Sequence, residues 1–124
     1  MDYKQLYIIA LAMHGIGHII GVMVFLDLWG MSVRSSILDS MDLGQGLIKT
    51  LSFLWVIPFL AFISSAWGVW TGAIWWETLG WVGTVGSLIY FVLYWNSFPS
   101  NLPIQANIGN IVALAGLLGI INIA

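Results

Sequence analysis

The chain has 124 residues, of which 60% are hydrophobic and only 6% charged, with three Lys/Arg, five Asp/Glu, two His and no Cys. A soluble domain carries roughly 25% charged residues, so this composition excludes a soluble globular domain and a disordered segment, and with no basic patch a nucleic-acid partner is excluded too. Without cysteine there is no disulfide framework, thiolate metal site or iron–sulfur cluster; an integral membrane protein, with the lipid bilayer as its first partner, is what remains.

A membrane-spanning helix needs about 20 apolar residues, because the hydrocarbon core is about 30 Å thick and a helix rises about 1.5 Å per residue. The first uncharged stretch, residues 5–26, ends at Asp27 and predicts a helix over 5–28. Its leader, Met-Asp-Tyr-Lys, carries one acid and one base, and the apolar run behind it is too long for a signal-peptide core, so no cleaved signal is expected. The connection 30–49 holds Arg34, Asp39, Asp42 and Lys49, and its middle, 33–41, is a candidate interfacial helix with Leu38 and Met41 toward lipid. A second helix is predicted over 50–76, ending at Glu77. No charge follows Glu77, but the polar, proline-containing segment 96–103 divides the remainder into helices over 78–96 and 104–124. Pro58 frees a carbonyl near Leu54 and should bend the second helix.

Strands do not fit. A membrane barrel needs at least eight strands of alternating polarity, whereas these stretches are continuously apolar, and helices satisfy their own backbone hydrogen bonds in lipid. The expectation is one all-α domain, 1–124: a polytopic four-transmembrane-helix bundle with both termini on one side. Aromatic residues mark two belts, with Tyr3, Tyr7, Trp70, Trp75, Trp76 and Trp81 at one interface and Trp29, Tyr94, Trp95 and Phe98 at the other. Arg34 and Lys49 on the long-loop side outnumber Lys4 on the other, which places the 30–49 loop in the cytoplasm, in a prokaryotic plasma membrane.

Close packing and interhelical hydrogen bonds hold helices together in lipid. In the first helix Ala10, His14, Gly17, His18 and Gly21 share a stripe that includes a GxxxG pattern, Gly17 to Gly21. Gly83 and Ser87 mark a small face on the third helix, and Gly109 and Ala113 one on the fourth. These residues are expected to pack the bundle, or to dock other membrane subunits or a second copy.

His14 and His18 are the only histidines, one helical turn apart and near the predicted midplane, where an ionisable group is by default a functional hypothesis. Depth along the helices places Ser64 and Ser65 level with His14, and Ser87, Tyr90 and Asn110 around His18. Neutral imidazoles satisfied by such partners need no ligand. Zinc takes three or four protein ligands, and no third strong ligand lies at this depth. His14 and His18 can therefore serve a metal or haem only as part of a site shared across an interface. A polar contact to a quinone or sterol-like lipid is the other option. Asn107 is shallow enough to cap its helix or meet water, whereas Asn110 should find a partner on another helix.

The run His14-Gly-Ile-Gly-His18-Ile-Ile-Gly21, with Gly46 and Trp55, the pair Trp75-Trp76, Trp95 and an Asn opening the fourth helix (Asn107 or Asn110), resembles a group of small prokaryotic four-helix membrane proteins that begin with His-Gly-x-x-His-x-x-Gly. In overall shape the chain is also similar to DoxX-like proteins. The resemblance implies the fold and draws attention to His14 and His18; it supplies no reaction.

No paired carboxylates lie in the apolar stretches, no phosphate loop follows a strand, and no serine has both a base and an orienting acid in the sequence pattern. No catalytic set is complete, and no cofactor is required. The sequence points to a non-catalytic accessory or structural subunit of a larger membrane complex. The alternative is a hydrophobic-ligand, metal or haem-binding protein or enzyme using the histidine pair, with Ser64, Ser87, Tyr90 and Asn110 beside it.

Overall fold

The structure, a computed structural model, describes residues 1–98 and 102–123. It is all-helical, with no strand among the described residues. Helix α1 (Tyr3–Gly17) opens on a reciprocal cap, in which the Asp2 carboxylate accepts from Gln5 N–H at 2.8 Å and the Gln5 side chain accepts from Asp2 N–H at 3.0 Å. It runs into α2 (Ile19–Phe25) through His18, whose N–H bonds Gly15 three residues back, a local tightening of the helix. Asp27, at φ 55°, ends this 23-residue rod.

Helix α3 (Ser36–Ser40) is capped by the Ser35 hydroxyl, which accepts from Leu38 N–H at 3.1 Å. Helix α4 (Gln45–Ser52) and α5 (Val56–Thr71) join through a 3₁₀ turn, Phe53–Trp55, into a 27-residue rod. Pro58 has no N–H for the Leu54 carbonyl, and the tight turn lies where that bond is missing. Gly72, at φ 72°, stops α5, and Ala73 N–H returns to Gly68 at 2.9 Å. Helix α6 (Trp76–Leu93) then begins with Glu77 in its first turn, where the helix dipole favours a carboxylate. Helix α7 (Leu102–Leu117) ends in a second left-handed glycine, Gly119.

Several boundaries differ from the sequence expectation. The second rod starts at Gln45, inside the predicted connection, because 45–52 already places Ile48 and Ser52 on one buried side. The turn before α6 falls at 72–75 rather than at Glu77, since glycine accepts positive φ without a Cβ clash. The interfacial helix shrinks to Ser36–Ser40, and Leu38 is buried rather than turned to lipid, while Met41 is exposed. Helix α7 stops well short of residue 124, and the segment behind it folds back so that Ile123 enters the core. Residues 99–101 of the predicted break, the Trp29 side chain of the predicted belt and Ala124 lie outside the described residues.

The rods close a ring in which α1 packs on α5 and α7, and α6 packs on the same two. Two apolar clusters fill it. One, at the long-loop end, gathers Val24, Leu38, Ile48, Trp55, Phe91 and Phe98 around Tyr94. The other, at the terminal end, gathers Leu11, Phe62, Val69, Ala113 and Ile123 around Tyr7, whose hydroxyl donates to the Ala113 carbonyl at 2.9 Å. Tyr7, Tyr94 and Phe98 are thus core residues, not belt residues, whereas Tyr3, Trp70, Trp75, Trp81 and Trp95 are exposed. Two rods, Tyr3–Phe25 and Gln45–Thr71, are long and apolar enough to cross a membrane.

Candidate functional site

Where the two clusters meet, the ring is polar. His18, Ser87 and Asn110 are buried there, and His14 is half-buried. The imidazole centroids of His14 and His18 lie 4.6 Å apart, edge to face. Phe62 borders both rings, and Trp55 and Phe91 border His18.

The hydrogen bonds form a chain whose direction is set from both ends by backbone carbonyls, which only accept. Asn107 Nδ2 donates to the Pro103 carbonyl at 2.9 Å, so Asn107 turns its Oδ1 toward Asn110. Asn110 must then present its NH₂ group. One N–H meets Asn107 Oδ1 at 2.9 Å and the other meets Ser87 Oγ at 2.9 Å. Its Oδ1 is left facing His14 Nε2 at 2.9 Å, so His14 carries its proton on Nε2. At the other end His18 Nδ1 donates to the His14 carbonyl at 2.8 Å, which leaves His18 Nε2 as an acceptor for the Ser87 hydroxyl at 2.7 Å. The result is a closed circuit, His14–Asn110–Ser87–His18–His14, tying α1, α6 and α7 together, with His18 neutral because its Nε2 accepts.

The glycines set how closely these elements approach. A methyl group at Gly109 would fall on the His14 imidazole, one at Gly21 on the Trp55 indole, and one at Gly83 about 3.1 Å from the Phe62 ring. Ala113 is fully buried. Gly17 is different. Nothing lies within 4 Å of its missing side chain, so within this chain Gly17 and Gly21 do not form one packing face: Gly21 meets Trp55 and Gly17 is on the exposed side of the helix.

The predicted partners are only partly brought together. Ser87 and Asn110 join the histidines. Ser65 instead donates to the Trp76 carbonyl at 2.8 Å, and Tyr90 donates to the Leu51 carbonyl at 3.3 Å while stacking on Tyr94. Ser64 makes no hydrogen bond to either imidazole. Asn107, expected only to cap or meet water, orients Asn110; its three-residue spacing from Asn110 was the available signal. The aromatic wall of Trp55, Phe62 and Phe91 had none, since it comes from three separate stretches of chain.

Both His18 nitrogens and His14 Nε2 are occupied, so His14 Nδ1 is the ring nitrogen without a hydrogen-bond partner among the described residues. Among the described residues no three His, Cys, Asp or Glu side chains gather where a metal could sit. A shared metal would therefore take one imidazole nitrogen from this chain, not two. Beside the rings a cleft of about 280 Å³ is lined by Met13, His14, Gly17, His18 and Gln105, among others. Thr84 Oγ1 is a buried hydroxyl with no partner among the described residues.

No protein-family model, curated protein or solved structure matches this chain.

Proposed function

We propose that the chain is an integral membrane protein crossing the bilayer four times, with the 30–49 loop on the cytoplasmic side of a prokaryotic plasma membrane, and that it serves as a non-catalytic accessory subunit of a larger membrane assembly. The observation that carries the membrane reading is an inverted distribution of polarity. Among the described residues 32 large hydrophobic side chains are exposed against 16 buried hydrophobic ones, while His18, Ser65, Thr84, Ser87 and Asn110 are buried. In water so much exposed apolar surface is a liability; in lipid it is the natural solvent-facing side, and buried polar groups become the interhelical contacts. Helices α6 and α7 would span about 27 Å and about 24 Å, at 1.5 Å per residue, which a bilayer of about 30 Å meets by local thinning.

The subunit reading is supported by the closed circuit. Ser87 and His18 do stand as a hydroxyl–imidazole pair at 2.7 Å, but Ser87 is fully buried and also accepts from Asn110, so the pair serves to hold helices together rather than to meet a substrate. The test is a native pull-down from membranes in mild detergent, beside the double variant His14→Ala/His18→Ala. A stoichiometric membrane partner is expected with the native chain, and lower abundance with the variant. Recovery of the native chain only as a lone monomer would refute the subunit role.

A second reading rests on the cleft beside His14. Its lining is apolar apart from His14, His18 and Gln105, so a ligand there would be a hydrophobic molecule with one polar group, such as a quinone or a sterol-like lipid. Its signature is an organic molecule co-purifying at one equivalent and lost on Gly17→Leu, which narrows the cleft.

A further inference from the structure

Half of the chain's eight charged side chains line a single pocket at the long-loop end: Asp27, Arg34, Asp39 and Lys49, in a space of about 570 Å³. In a sequence so poor in charge, this convergence is the main polar feature outside the histidine circuit. The wall is built rather than loose. Arg34 is held by its main chain, its N–H donating to Ser97 Oγ at 2.6 Å and its carbonyl accepting from the same hydroxyl at 2.7 Å. The next residues are pinned likewise, Ser35 to the Leu93 carbonyl and Ser36 to Asn96 Oδ1 at 3.0 Å.

The charges divide into a paired and an unpaired set. Lys49 and Asp27 neutralise each other at 2.7 Å. Arg34 and Asp39 have no ion-pair partner among the described residues, and they do not pair with each other. Arg34 Nε donates to Ser32 Oγ at 3.3 Å, so the terminal guanidinium N–H groups and the Ser32 O–H remain as donors on one side of the pocket. Asp39 offers only acceptors. A ligand matching both carries an anionic oxygen group and, in the same molecule, a cation with N–H donors. Guanidinium recognises phosphate oxygens in a planar, two-pronged way.

Building on the membrane reading above, we propose that this pocket holds the head group of a zwitterionic phospholipid with a primary ammonium, its phosphodiester on Arg34 and Ser32 and its ammonium on Asp39. The pocket lies at the end of the apolar rods, and Leu28, Ile37 and Met41 are exposed on the same segment, where acyl chains would run. A purely anionic head group leaves Asp39 without a partner. A trimethylammonium head group cannot donate a hydrogen bond to it.

The test measures binding to the full chain in detergent by native mass spectrometry, with phosphatidylethanolamine, phosphatidylcholine and phosphatidylglycerol in parallel. Phosphatidylethanolamine should bind about tenfold more tightly than either of the others. Asp39→Asn should erase that preference, Arg34→Gln should weaken binding of all three lipids alike, and Lys4→Gln, at the opposite end, should change neither. The Arg34 main-chain bonds do not involve its side chain, so that variant retains the segment's fold. Equal binding of the three lipids, an undiminished preference in Asp39→Asn, or undiminished binding of all three in Arg34→Gln overturns the proposal. Glycerophosphoethanolamine binding as tightly as the lipid would assign a free head-group compound and overturn the lipid source. Alkaline carbonate extraction of the same membranes separates the two levels: a chain released by carbonate defeats the membrane reading, whereas a chain retained but indifferent to head group defeats only this proposal.

Discussion

His18 Nδ1–H donates to the main-chain carbonyl of His14, one turn back on the same rod, at 2.8 Å. Because a carbonyl cannot donate, this bond decides the tautomer of His18, and with Asn107 anchored to the Pro103 carbonyl it orients every other bond of the circuit. The two histidines are therefore chemically different despite sharing a turn of helix. His18 is protonated on Nδ1 and saturated; His14 is protonated on Nε2, and its Nδ1 has no hydrogen-bond partner among the described residues.

That difference is directly observable. Nitrogen-15 spectra of the full chain in detergent at neutral pH should show two neutral imidazoles of opposite tautomer. The Nδ1–H signal should vanish in His18→Ala and the Nε2–H signal in His14→Ala. Two rings of the same tautomer, or an imidazolium pattern, would contradict the assigned direction of the circuit.

Asn110 is the member of the circuit with most to lose, since its side chain bonds His14, Ser87 and Asn107 at once. Asn110→Ala should destabilise the bundle by about 1–3 kcal/mol, the cost of leaving buried partners unsatisfied. Interhelical hydrogen bonds in lipid average nearer 0.6 kcal/mol, with a maximum of about 1.7 kcal/mol, so the low end of that range is expected. A double cycle with Ser87→Ala should show the two losses to be non-additive, because they share one bond. Strictly additive unfolding free energies would separate the two residues.

Glycines that look alike in sequence should behave in opposite ways. Gly109→Ala drives a methyl group into the His14 ring and should cost about 1–3 kcal/mol through overpacking. Gly17→Ala meets open space and should be neutral or stabilising by up to about 1 kcal/mol, through helix propensity. Thermal unfolding in detergent compares the two, and equal effects would refute the assigned packing.

The lack of native cysteine makes topology simple to read. Single cysteines at Lys4 and Ala73 should react with an impermeant thiol reagent from one side of sealed vesicles, and a cysteine at Ser40 from the other. Labelling of all three from the same side would defeat the four-crossing arrangement.

Much of the fold was legible from local information. Long apolar stretches without charge predicted the rods, and the helical class follows from the need of each backbone group for a partner within its own segment. The i,i+4 spacing of His14 and His18 predicted a shared face, and depth along the rods brought Ser87 and Asn110 toward them. Helix ends were less legible. Gly72 and Gly119 stop their helices through left-handed caps, and glycine at other positions, such as Gly80 and Gly86, sits inside a helix. The place of Leu38 in a short amphipathic segment predicts a lipid-facing side chain, yet packing against the long-loop cluster buries it.

What the sequence by itself determined is the chemistry available: apolar rods, two imidazoles on one turn, eight charges and small residues at helical spacing. Only the tertiary structure decided which glycines are filled by a neighbour, which serine and asparagine reach the rings, and that half the charges meet in one pocket. The reason is physical. Periodicity is a property of one helix, whereas hydrogen-bond direction and close contact depend on the rotation and offset of several helices at once, set by packing between residues far apart in the chain.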